Sequence, residues 1–292
     1  MVVERRLPSW LKVKAPGGPN YLDLRNRFRD NGLHTVCEEA HCPNIGDCWD
    51  RRTATFMILG DICTRACTYC AVKTGMPVTL DLEEPVRLAE TVERMDLKYA
   101  VITSVNRDEL ADGGAFIFAQ CILQIRKRLP NCKIEVLIPD FCGNWDALSK
   151  VVDAAPDTLN HNIETVSRVF PRVRPKGDYD QSLELLSRAR ELAPHSVTKS
   201  GMMVGLGETW NEIIETMRDL RSVDCDLLTI GQYLRPSEKH VPLSRWYTPD
   251  EFDELRQEGE AMGFRHVASG PLVRSSYHAD EQHEAAAAKV AV

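Results

Sequence analysis

The chain has 292 residues, 43% of them hydrophobic and 27% charged, an ordinary globular composition that supports one large core with extensions. A net charge of −7 argues against nucleic acid as a partner, because phosphate binding needs a basic excess. No run of about 18 apolar residues calls for a membrane span, and the first residues show neither signal-peptide nor transit-peptide character, so the expected compartment is the cytoplasm, with no membrane partner.

Residues 1–36 read as an irregular polar leader, in which Pro16-Gly17-Gly18-Pro19 breaks any helix. Residues 37–52 hold Cys37, Cys42 and Cys48 beside Pro43 and Gly46, and read as a loop. Thr55-Phe56-Met57-Ile58-Leu59 reads as a buried strand, and Cys63, Cys67 and Cys70 follow it directly. From there strands and helices alternate. A helix over 86–96 carries Leu88, Ala89, Val92 and Met95 at helical spacing, and further helices are expected at 115–129, 145–154 and 180–192. Strands are expected at 100–104, 133–138, 158–162, 197–204 and 227–230. Thr209 with Glu212, and Thr248 with Glu251 behind Pro249, form capping boxes that open two more helices. The tail Ala285–Val292 is low in complexity and is expected to fray. Six βα units without internal repeat or long linker imply parallel crossovers, in a barrel or partial barrel with its chemistry at the C-terminal strand ends. A doubly wound sheet is the rival.

Six of the ten cysteines crowd into residues 37–70; Cys121, Cys132, Cys142 and Cys225 are scattered and read as core residues. Disulfides are not expected in a reducing compartment, so the clustered six read as metal ligands. The second triplet has the spacing C-x3-C-x2-C. Three thiolates leave one iron of a four-iron cluster without a protein ligand, and an open position is where a metal centre does chemistry. Zinc or plain buried cysteines are the alternatives.

With Tyr69 before its last cysteine, this triplet resembles the hallmark of the radical S-adenosylmethionine (SAM) superfamily. The resemblance implies that the amino and carboxylate groups of SAM chelate the vacant iron. Reductive cleavage then gives methionine and a 5′-deoxyadenosyl radical that removes hydrogen from an unactivated C–H bond. A minimal enzyme of this kind needs no upstream cysteines, so Cys37-x4-Cys42-x5-Cys48 reads as a second metal site. Zinc, with His34 or His41 as fourth ligand, is its alternative. Arg274-Ser275-Ser276-Tyr277-His278-Ala279, alone, would be a polar surface turn.

Together the three motifs are similar to the lipoyl synthase family, from about residue 20 to residue 280. The similarity takes in Thr53–Gly60, His161-Asn162-Ile163-Glu164-Thr165, Thr198–Glu208 and Leu228-Thr229-Ile230-Gly231-Gln232-Tyr233. It implies a partial (βα)6 TIM-like barrel of the radical SAM type over residues 55–248. An extension over 1–54 would carry auxiliary cluster ligands, and a C-terminal helix with the R-S-S-Y segment over 249–292 would close the site. It further implies two [4Fe–4S] clusters with SAM as co-substrate: one on Cys63, Cys67 and Cys70, the other on Cys37, Cys42, Cys48 and a serine, Ser275 rather than Ser276. A serine oxygen holds this iron more weakly than a thiolate and can leave, which suits a cluster dismantled to donate sulfur. The implied reaction inserts sulfur at carbons 6 and 8 of an octanoyl chain on a carrier-protein lysine, in a lipoyl domain or the glycine-cleavage H protein. One SAM is consumed per insertion. A flavodoxin or ferredoxin would supply electrons, and iron–sulfur carrier proteins would serve the clusters.

For SAM, strand-end positions suggest the Tyr69 backbone near adenine, Ser104 and Asn106 near the amino group, and Asn162 and Glu164 near ribose or carboxylate, with Lys199 and Arg235 as further candidates. Asn106 stands where many members have Asp, and Asp47 where Glu is usual. Arg168, Arg172, Arg174 and Lys176 form a basic run: a solvated face, a dock for acidic carrier domains, or a backbone brace near the site. Two other classes of function compete. One is another sulfur-inserting radical enzyme, acting on dethiobiotin or tRNA; the R-S-S-Y motif and the acidic charge argue against each in turn. The other is a non-enzymatic electron-transfer or cluster-carrier protein, which would leave a whole barrel unexplained.

Overall fold

A computed structural model describes residues 7–13, 16–30, 34–39, 42–50 and 55–288. After one turn at Ser9–Leu11 come α1 (Pro19–Asp30), the short strand β1 (His34–Thr35), α2 (Val36–Glu39) and α3 (Ile45–Asp50). The strand β2 (Thr55–Ile58) leads into a small parallel pair, β3 (Ile62–Cys63) and β4 (Lys73–Thr74). The alternation then runs α4 (Glu84–Arg94), β5 (Tyr99–Ser104), α5 (Ala115–Arg128), β6 (Lys133–Leu137), α6 (Trp145–Asp153), β7 (Thr158–Asn160), α7 (Phe170–Val173), α8 (Tyr179–Leu192), β8 (Val197–Val204), α9 (Trp210–Ser222), β9 (Leu227–Gln232), α10 (Pro249–Ala261), β10 (His266–Gly270) and α11 (Ala279–Ala288).

One sheet has the order β1-β2-β5-β6-β7-β8-β9-β10. Every neighbouring pair from β2 onward is parallel, and β1 alone runs antiparallel. The strands follow one another in chain order with no switch point, so the sheet is wound one way as in a barrel rather than doubly. Its edges, β1 and β10, do not pair with each other, so the barrel is partial. The six expected strands are all present. A seventh parallel strand, β10, was not expected, because His266-Val267-Ala268-Ser269-Gly270 lacks the apolar run of a central strand and buries only Val267 fully.

Three further expectations are corrected. The leader holds helix α1, which begins at Pro19 and buries Leu24 and Phe28, four residues apart, with Phe28 against Trp49 and Phe56. The loop over 37–52 contains two short helices, α2 and α3. The tail over 285–288 is the last turn of α11, with Ala286 buried against Val197 and Leu227 at the N-terminal strand ends. Both capping boxes form, each Thr side chain accepting from the backbone of its Glu.

Helices on the outside enclose two apolar layers, one around α4, α5 and α6 and one around α9 and α10. The lumen is polar. Lys199 and Glu135 are fully buried there, 3.0 Å apart, and Glu135 also accepts from Tyr99 and Asn160. The chain after β10 crosses the open side of the barrel. Its approach depends on glycine: a Cβ on Gly201 would lie 2.5 Å from the Thr229 hydroxyl and 3.1 Å from that of Ser275, and one on Gly231 would strike the Val273 carbonyl. Three bonds fasten this segment to the other edge. Asn44 donates to the Leu272 carbonyl at 2.7 Å, Thr55 to the Ser276 hydroxyl at 2.7 Å, and the Tyr277 hydroxyl to Asp47 at 3.3 Å. No helix among the described residues is long and apolar enough to cross a membrane.

Candidate active site

Cys63 ends the short strand β3, and Cys67 and Cys70 lie in the loop beyond it, at the C-terminal end of β2. All three line a cavity of about 230 Å³ over the upper lumen. Arg65, between two of these cysteines, is buried and holds the loop in place. It donates to both oxygens of Asp140 at 2.5 and 2.6 Å and to Asp108 at 2.9 Å. Burial works to raise the Asp140 carboxyl, but the hydrogen bonds and charge of Arg65 hold it down at about 2. His240 meets the Cys70 carbonyl at 2.9 Å, and the Asn106 amide donates to the Cys63 sulfur at 3.3 Å.

Of the expected SAM contacts, Tyr69, Ser104, Asn106, Asn162 and Glu164 line this cavity. Ser104 Oγ is buried there without a hydrogen-bond partner among the described residues. Glu164, with φ of 68°, has its carboxyl raised by burial, with Arg174 opposing. The other two candidates lie elsewhere. Lys199 is committed to Glu135 inside the barrel, because its strand position points it into the closed lumen rather than to a strand end. Arg235 is exposed and donates to the carbonyls of Glu238 and His240, bracing the loop that reaches Cys70.

Three further titratable wall residues were not assigned to the SAM site from sequence, although Arg174 belongs to the basic run. His161 is buried, its Nδ1 donating to the Ile138 carbonyl at 2.9 Å. Burial and then the Arg174 charge hold its pKa down at about 4, so the ring is neutral and its unpartnered Nε2 is an acceptor. Arg65 and Arg174 are the others. The basic run that contains Arg174 is a backbone brace. Arg168 donates to the carbonyl of Gly207, Arg172 to that of Leu206, Arg174 to that of Asn162 and Lys176 to that of Thr64. A cation inside the cysteine motif, a histidine beside Asn162 and a cation every second residue were the available signals.

Cys37, Cys42 and Cys48 line a second, small cavity with Thr55, Tyr99, Val101, Arg274, Ser276 and Tyr277. Ser275 is not on its wall; its hydroxyl is bonded instead to Asn162, 2.8 Å from Nδ2 and 3.1 Å from Oδ1. His41 lies outside the described residues, and His34 pairs with Glu39 at 3.8 Å. Burial pushes the thiol of Cys37 up to about 11 and that of Cys70 up to about 12, and raises Cys42 and Cys67 as well. Such thiols become thiolates when a cationic centre arrives and displaces their protons. Among the described residues, no three His, Cys, Asp or Glu side chains gather closely enough to hold a single metal ion. Thiolates on the corners of a four-iron cluster stand farther apart than those on one zinc.

The two cavities belong to one lumen. On β2, Thr55 lines the lower cavity and Met57 the upper; on β5, Tyr99 and Val101 line the lower and Thr103 the upper. Residues two apart on a strand share a face and are offset by about 7 Å. The cysteine triplets thus open onto successive levels of the barrel interior.

The chain matches the model of the radical SAM superfamily over residues 57–220, and that of the N-terminal domain of lipoyl synthase of the radical SAM family over residues 2–42. A lipoyl synthase of Rubrobacter xylanophilus is 61% identical over 277 residues, covering 95% of this chain and 86% of that protein. One of Chloroflexus aggregans is 61% identical over 274 residues, covering 94% and 90%. The hydrogenase maturase HydG of Carboxydothermus hydrogenoformans superposes with a TM-score of 0.59 at 17% identity, over 79% of this chain and 56% of that one. SuiB of Streptococcus suis, bound to S-adenosylmethionine, gives 0.55 at 9%, over 84% and 53%. These last two likenesses are of fold.

Proposed function

Because the chain belongs to the lipoyl synthase family of the radical SAM superfamily, we propose that its cysteine triplets hold two [4Fe–4S] clusters facing one substrate lumen. The protein is a sulfurtransferase that inserts sulfur into an octanoylated carrier protein to make the lipoyl cofactor. The division of labour follows the chain: residues 55–248 hold the SAM site, and residues 1–54 and 249–292 hold the second cluster.

When bound, the first cluster and SAM supply the radical that removes hydrogen from the acyl chain, and the second cluster supplies the sulfur. The protein's own residues position and enclose. Cys63, Cys67 and Cys70 anchor the upper cluster, and Arg65 fixes their loop against Asp140. Ser104, Asn106, Asn162, Glu164 and the Tyr69 backbone surround SAM, and the orphaned Ser104 hydroxyl and His161 Nε2 are a donor and an acceptor held ready for it. Met57, Leu137 and Ile138 give the acyl chain an apolar wall, and enclosure keeps water from the radical. Cys37, Cys42 and Cys48 anchor the lower cluster. Its oxygen ligand comes from the Ser275–Ser276 pair: the motif favours Ser275, and the cavity wall favours Ser276. The carriers are lipoyl domains and the glycine-cleavage H protein, the reductant a flavodoxin or ferredoxin, and iron–sulfur carrier proteins restore the spent cluster.

The observation that carries this reading is the opening of both triplets onto successive levels of one lumen. Reconstituted protein given dithionite, SAM and an octanoyl-lysyl peptide under anaerobic conditions should yield a doubly thiolated peptide with 5′-deoxyadenosine. Cys37→Ala should still release deoxyadenosine but transfer no sulfur. Deoxyadenosine without thiolation by the unaltered protein would point to another substrate.

A further inference from the structure

The small pair β3–β4 is followed by Gly75-Met76-Pro77-Val78-Thr79-Leu80-Asp81-Leu82, a stretch with neither helix nor strand until its closing turn. Every second residue is a large apolar one, and all of them are exposed: Met76 by 69%, Val78 by 93%, Leu80 by 38% and Leu82 by 62%. Single exposed apolar residues are normal on any protein surface; a run of them marks a contact face. Of the eleven large apolar side chains exposed among the described residues, four fall in these seven positions. The stretch is also held, since Arg107, itself buried, donates to the Thr79 carbonyl at 3.0 Å and Gly75 donates to the Cys63 carbonyl at 3.0 Å.

Its place decides what it meets. Thr74 lines the upper cavity and is the one residue of that wall that is exposed, so the wall of the cavity reaches the surface at the foot of the strip. The apolar strip starts two residues beyond. A substrate tethered to a carrier domain reaches the lumen only if that domain sits against the opening, within the length of a lysine side chain plus an eight-carbon acyl chain. We propose that the strip Met76–Leu82 is the docking face for the octanoylated carrier domain, received through an apolar patch beside its modified lysine. This rests on the reading of the lumen as the acyl site. It assigns protein recognition to surface outside the barrel, separate from recognition of the acyl chain inside it.

The test uses two substrates that share the acyl-lysine and differ in the domain. The triple variant Met76→Ser, Val78→Ser, Leu82→Ser alters only exposed side chains and should fold as the parent does. With a whole octanoylated lipoyl domain its KM should rise about tenfold or more, since apolar anchors at an interface centre carry effects of that size. With a short octanoyl-lysyl peptide both kcat and KM should stay at parental values. An unchanged KM for the whole domain would overturn the proposal. An equal loss on both substrates would overturn it too, by placing the strip in catalysis rather than docking. A dimeric parent that the variant turns into a monomer would reassign the face to a second copy of the chain. If the parent processes neither substrate, it is the acyl reading itself that fails.

Discussion

His161 is neutral where it sits, and that has a price in acid. Its pKa falls from 6.5 to about 4 on folding, so between those values the unfolded chain binds a proton that the folded chain refuses. The stability it contributes is whole above pH 6.5 and is lost as pH falls toward 4. Between pH 7 and pH 5 the loss is about 2 kcal/mol. Denaturant titrations should show His161→Gln losing less stability over that interval than the parent; parallel curves would mean that folding leaves the ring's pKa where it was. The two serines separate in the same direct way. Removing the hydroxyl that serves as cluster ligand should lower iron retained at the lower site, while the other variant should keep parental iron. Ser275→Ala and Ser276→Ala, compared by iron content and electron paramagnetic resonance, decide between them.

At the scale of elements, the buried pair of Lys199 on β8 and Glu135 on β6 joins strands that are not neighbours in the sheet. Lys199→Met would leave a carboxylate buried without its cation and should cost about 3–5 kcal/mol, whereas Glu135→Gln with Lys199→Met should recover most of it. A loss on Lys199→Met below 1 kcal/mol would mean that water reaches Glu135. The same strands show what the sequence could reveal. The strands β2, β5 and β9 were legible as nearly unbroken apolar runs such as Phe56-Met57-Ile58, while β6, β7 and β8 interleave polar residues with apolar ones and were legible by their place between helices. β10 was not, because an edge strand beside a polar segment needs no such run. α1 hid among charged residues, with only Leu24 and Phe28 marking its face, and α11 hid in a row of alanines that resembles a tail. In the site, the cysteines were legible through spacing. Lys199 was misplaced because sequence tells which residues are polar but not which level of the lumen each one occupies.

For the whole molecule, the important joint is the open side of the barrel, where the segment after β10 meets the segment before β2. Asn44→Ala removes the bond to the Leu272 carbonyl and should cost about 1 kcal/mol. Amide exchange should quicken in residues 42–50 and 271–278 together while the barrel strands keep their protection; quickening on one side alone would show that the two edges move independently. This joint also fixes an order in time. The lower cavity takes its walls from residues 37–55, from Tyr99 and Val101, and from residues 274–280, so the barrel lies between its first wall and its last along the chain. A ribosome-bound chain can finish most of the barrel, yet it carries Cys37, Cys42 and Cys48 with half their enclosure still unmade. Whatever fills that cavity is therefore enclosed only after the barrel strands have been made, and until then those three thiols are in the care of whatever meets the nascent chain.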